Sequence, residues 1–94
     1  MLLDKVKLSI RFDENWLDED IQDSIAAAIA DLKLSGIKAS KITEADPLIL
    51  KAIKAYCKSD FSDDENEAKR YKESYDMLKT HLTLSSEYVD VITS

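Results

Sequence analysis

Hydrophobic positions along the chain recur at helical rather than strand spacing. Leu3, Val6 and Ile10 are separated by Asp4, Lys5 and Lys7, which predicts a short amphipathic opening helix. Such a helix must dock on something larger, because an isolated helix below about 12–15 residues is marginal in water. Asp13-Glu14-Asn15 interrupts the pattern, and Asn15 and Asp18 are both N-cap candidates for a second helix. In that helix Leu17, Ile21, Ile25, Ala28 and Leu32 form one continuous apolar stripe, with Asp20, Gln22, Asp23 and Asp31 off it. Gly36 follows where a left-handed C-terminal cap is expected, a conformation glycine enters without steric cost.

Residues 36–46 read as a connector, with Ile37, Ala39 and Ile42 spaced by polar residues. Both a plain loop and a short hairpin fit that spacing. Asp46-Pro47 then pairs an N-cap with the first helical position, where the missing proline N–H costs nothing. The third helix carries Leu48, Ile49, Leu50, Ala52, Ile53, Ala55, Tyr56 and Cys57, apolar over so much of its circumference that it is expected to be the central element. Ser62-Asp63-Asp64-Glu65 has the form of a capping box for a fourth helix, with Ser62 as the cap. Ala68, Tyr71, Tyr75, Leu78 and Leu82 make up its stripe. Beyond Thr83 the pattern changes to Tyr88, Val89, Val91 and Ile92, a β-prone stretch too short for a sheet of its own.

The expected fold is therefore all-α: a small bundle of about four helices with a short first helix and an extended C-terminal tail. Residues 1–94 should make a single helical domain, of which 83–94 is the tail. One Gly and one Pro in 94 residues agree with this, since a sheet-rich fold of that size needs more tight turns.

Charge and cysteine usage narrow the function. Asp and Glu total 19 against 13 Lys and Arg, a formal charge of −6. Tight sequence-independent DNA binding is then not expected, because it depends on cations neutralising phosphates. An acidic wall can instead let DNA slide past without sticking. The single cysteine, Cys57, rules out an internal disulfide and a Cys-based metal cage. No hydrophobic signal region and no run near the roughly 20 apolar residues of a membrane span is present, so neither export by a standard signal nor membrane insertion is expected.

Candidate chemistry is sparse. His81 is the only histidine and Cys57 lies in an apolar helix, so each reads as an ordinary structural side chain rather than a base, ligand or nucleophile. Asp60, Asp63, Asp64, Glu65 and Glu67 lack the ordered spacing and central glycine of a calcium loop, and helix-start acidity accounts for them. No catalytic residue, metal ligand or cofactor site is assigned, and an enzyme is not expected. Tyr71 and Tyr75 are expected to complete the core. Trp16 can cover one end of the bundle or serve as an interface anchor. Tyr88, Val89, Val91 and Ile92 are candidate partner contacts, because an extended β-branched segment can add a strand to a neighbour, and Trp16 joins them.

Three segments resemble the head-tail connector family of tailed bacteriophages, also called head-completion or DNA-packaging adaptor proteins. Residues 2–7 (LLDKVK), the acidic link and residues 20–28 (DIQDSIAAA) are similar to the family's first two helices, and residues 47–56 (PLILKAIKAY) resemble its proline-started third. Most specific are residues 72–88 (KESYDMLKTHLTLSSEY), which look like the end of connectors from phages and prophages of Gram-positive bacteria. Ser86 departs from the pattern, standing where the family is expected to carry glycine. The likeness implies a structural virion assembly protein, forming a ring of about twelve subunits at the phage neck. That ring would join the portal to the next neck or tail-completion protein after packaging. DNA would pass through without specific binding, no membrane would be involved, and assembly would take place in the bacterial host cytoplasm. A reading from a different class is a small acidic regulatory or inhibitor module that presents its carboxylates to a basic protein partner.

Overall fold

The computed structural model describes residues 4–6 and 18–89. Residues 4–6 are helical (α1), followed by α2 (Asp18–Leu34), a 3-10 turn (Ala39–Lys41), α3 (Pro47–Phe61) and α4 (Glu65–Thr83). The fold is all-α, with no strand among the described residues and one isolated antiparallel bridge between Ile37 and Val89.

Where described, the predicted stripes supply the buried faces, although Ala68 and Tyr71 of α4 are half-buried; Leu3, Ile10 and Leu17 lie outside the described residues. On α2, Ile21, Ala28 and Leu32 are fully enclosed and Ile25 nearly so. On α3, Ile49, Ala52, Ile53, Ala55 and Cys57 are buried, and this helix packs against both α2 and α4. It is the central element, as its wide apolar circumference predicts. Tyr75 and Leu82 are the buried residues of α4, Val6 reaches the same core from α1, and Ile37 and Tyr88 close it from the connecting segments. Full burial of each large aliphatic side chain contributes about 1.5–3 kcal/mol, so this one cluster is the main source of stability.

Helix ends follow local chemistry, with some departures from expectation. Gly36 adopts φ 101°. Around it the Gly36 amide bonds to the Lys33 carbonyl and the Ile37 amide to that of Leu32, the paired bonds of a Schellman cap. Asp46 caps α3, its Oδ1 accepting from the Leu48 and Ile49 amides at 2.9 and 3.3 Å. The cap of α4 is Asp64, not Ser62: Asp64 Oδ1 accepts from the amides of Asn66 and Glu67. Ser62 instead terminates α3 and exchanges hydrogen bonds with the Asp64 backbone. An aspartate two residues later competes better for the start because its carboxylate also meets the positive end of the helix dipole. Asp18 stands inside α2, while Asn15 lies outside the described residues.

The connector over residues 36–46 is neither a plain loop nor a self-contained hairpin. Its Ile37 pairs with Val89 at the far end of the sequence, and Ala39–Lys41 forms a 3-10 turn. The tail also begins later than expected. Helix α4 includes Thr83, Leu84 and residues 86–88 form turns, and Val89 makes the bridge; residues beyond it fall outside the description.

Candidate functional site

Two polar arrangements lie on this core. The first joins α2 to α4. Tyr75 projects from the buried stripe of α4, and its hydroxyl donates to Asp31 Oδ2 at 2.6 Å. Lys79, one turn further along, donates to the same oxygen at 3.0 Å and stacks its ammonium 5.3 Å from the Tyr75 ring centre. Tyr56 of α3 meets the Tyr75 ring edge to face at 5.1 Å. The Tyr75 hydrogen bond holds the Asp31 carboxyl below its ordinary value, with Lys79 assisting and partial burial opposing. Burial first, and the bond to Asp31 second, push the Tyr75 phenol well above its ordinary range. A phenol so shifted stays protonated at any physiological pH and acts as a fixed donor, not as an acid or base.

Beside this cluster runs an open groove of about 590 Å³ between α3 and α4. Its wall carries Lys69, Lys72 and Lys79 among Asp31, Asp60, Glu65 and Asp76. Three cations against four carboxylates give the groove no strong preference for either sign of ligand. Asp60 is engaged, accepting a 2.6 Å hydrogen bond from the Ser24 hydroxyl.

The second arrangement ties the segment after α4 to the connector. Tyr88 is 8% exposed, and its hydroxyl donates to Asp46 Oδ2 at 2.8 Å. Asp46 thus caps α3 with one oxygen and holds Tyr88 with the other. The Lys38 amide donates to the Tyr88 carbonyl at 2.7 Å, next to the Ile37–Val89 bridge. Burial and the Asp46 bond both raise the Tyr88 phenol.

The remaining sequence candidates occupy unremarkable positions. Cys57 is free and fully enclosed. Burial pushes its thiol up to about 11, the opposite of what a nucleophile needs. His81 is exposed on the last turn of α4. In the acidic cluster Asp64 caps a helix, Glu65 and Glu67 occupy its first turn, and Asp60 bonds Ser24. Among the described residues no group of three or more His, Cys, Asp or Glu side chains is placed to hold a metal ion. No helix there is long and apolar enough to cross a membrane. Of the candidate partner contacts, Tyr88 and Val89 make their contacts within this chain, while Trp16, Val91 and Ile92 lie outside the described residues.

The sequence model of one family, described as phage connector protein, matches residues 2–89. The chain belongs to the phage connector proteins. No curated protein and no solved structure matches it. The match spans α1 to the Val89 bridge, so both polar arrangements lie inside the connector's family region. Its family is one of structural phage proteins rather than enzymes.

Sequence reasoning missed the partnership of Asp31, which was placed off the α2 stripe. The signal was its spacing: Ser24 and Asp31 stand seven residues, two helical turns, apart, a polar edge running beside the apolar stripe. Both polar residues of that edge bond across to another helix.

Proposed function

We propose that this connector is a virion assembly protein that forms a ring at the phage neck and joins the portal to the tail-side neck protein after DNA packaging. The observation that carries the reading is the family match over residues 2–89, nearly the whole chain. Two physical features support it. The titratable groups at the core are held in structural roles, with the Tyr75 phenol and the Cys57 thiol both raised and the depressed Asp31 carboxyl bonded to Tyr75. The net charge of −6 suits a conduit through which duplex passes without adhering, because like charges repel at short range. On this reading the connector reaches its final place at the head-tail junction and is assembled there in the bacterial host cell.

The test is addition of the purified connector to the portal ring of the same phage or prophage, followed by electron-microscope imaging. Saturable growth of a second ring on the portal is the expected outcome. An intact portal that takes up no connector at any concentration overturns the proposal.

A further inference from the structure

We infer that the segment Leu84–Val89 is an exchangeable strap: in the assembled ring its Tyr88 and Val89 leave their own slot and occupy the same slot on a second copy of this chain. The inference rests on the ring reading and adds the surface through which neighbours hold one another.

The slot has an occupant of known chemistry. It offers a carboxylate oxygen of Asp46 to the Tyr88 hydroxyl, a Lys38 amide to the Tyr88 carbonyl, and the extended edge at Ile37 to Val89. A second copy carries an identical segment, so every one of these contacts can be remade between chains with unchanged geometry. Only the hinge differs between the two arrangements.

That hinge is short and already close to helical. Leu84 has φ −88° and ψ −6°, and its amide still bonds to the carbonyls at the end of α4. Continuing α4 through residues 85–87 would carry Tyr88 away from Asp46. The attachment being given up is local: one isolated bridge, the hydrogen bonds of Tyr88 to Asp46 and Lys38, and the burial of one tyrosine ring, all of which the second copy's slot restores, and such end segments open without unfolding the body.

Exposed apolar side chains lie close in sequence to both partners of the bridge. Leu84, on the hinge, is 80% exposed, and Leu34, three residues before Ile37, is 88% exposed. Two large aliphatic side chains left in water are surface that a second copy can cover.

Two single-cysteine chains, Ile37→Cys and Val89→Cys, each made with Cys57→Ala, test the exchange. Ile37 and Val89 form a non-hydrogen-bonded antiparallel pair, in which side chains approach closely enough for a disulfide. Mixed, assembled on the portal ring and oxidised, the two should give a covalent heterodimer on a non-reducing gel. The same mixture kept dilute and unassembled should give none. A mixture that forms the ring but no heterodimer overturns the exchange and leaves the ring reading standing. Failure of the wild-type chain to form a ring overturns both. Should the substitutions themselves block assembly, the wild-type ring imaged at side-chain resolution decides: residues 85–87 lead either to the neighbour's Asp46 or, against the inference, to their own.

Discussion

Tyr75 and Asp31 are 44 positions apart in sequence, yet the hydroxyl of one lies 2.6 Å from the carboxylate of the other. This bond, reinforced by Lys79 on the same oxygen, ties α2 to α4, as the Ser24–Asp60 bond ties α2 to α3. Both helices are thereby fixed in rotation about the central one.

The tie should make the connector acid-sensitive. The Asp31 carboxyl is held below its ordinary value of 3.8, chiefly by the Tyr75 bond. The folded state therefore binds this proton less readily than the unfolded state. Its stabilising contribution is fully present above about pH 4 and is lost as pH falls through the folded value. Tyr75→Phe should cost roughly 1 kcal/mol at neutral pH, the size of an ordinary hydrogen bond rather than one to a buried charge, because Asp31 is partly solvated. Asp31→Asn should flatten the acid limb of a stability-pH curve. Urea denaturation between pH 3 and 7 checks both, and an unchanged acid limb in Asp31→Asn would show that other carboxylates set it.

A second prediction concerns alkali. The buried Cys57 thiol is raised from 9.0 to about 11, and Tyr56, Tyr75 and Tyr88 are raised from 10.0 by burial first. All four hold their protons more tightly folded than unfolded. Their contribution is intact below about pH 9 and declines as pH rises through the folded values. The connector should lose stability steeply above pH 9. At pH 8 its thiol should react with a disulfide reagent only at the rate of unfolding, accelerating with sub-denaturing urea; rapid labelling of the native chain would contradict the burial of Cys57.

Gly36 supplies the third. A Cβ added there meets only Val89 Cγ1 at 4.0 Å, an ordinary contact. The cost of Gly36→Ala is thus one of backbone conformation, about 1–2 kcal/mol for forcing an L-residue to positive φ. Chemical denaturation should show that loss with helical content unchanged, and Gly36→Asn should recover part of it because asparagine tolerates the left-handed region.

The helical architecture was legible in the sequence because each stripe is a local, periodic property. Ile21, Ala28 and Leu32 on one face of α2, and Ile49, Ala52 and Ile53 on α3, announce burial through spacing alone. The Gly36 and Asp46 caps were legible for the same reason, being written within a few residues of the ends they close. The cap of α4 was misplaced by two residues because Ser62 and Asp64 both satisfy the local rule, and only the path of the chain out of α3 separates them.

What the tertiary structure alone decided was the pairing of distant polar groups. Tyr75 with Asp31, Ser24 with Asp60 and Tyr88 with Asp46 are separated by 44, 36 and 42 residues, and no periodicity links the members of a pair. Tyr88 and Val89, read from the sequence as candidate partner contacts, pair with Asp46 and Ile37 of their own chain. Hydrophobic spacing specifies which face of a helix turns inward. Which polar side chains then meet across the resulting interfaces depends on how the helices are rotated and offset against each other, a quantity set by the packing of the whole core.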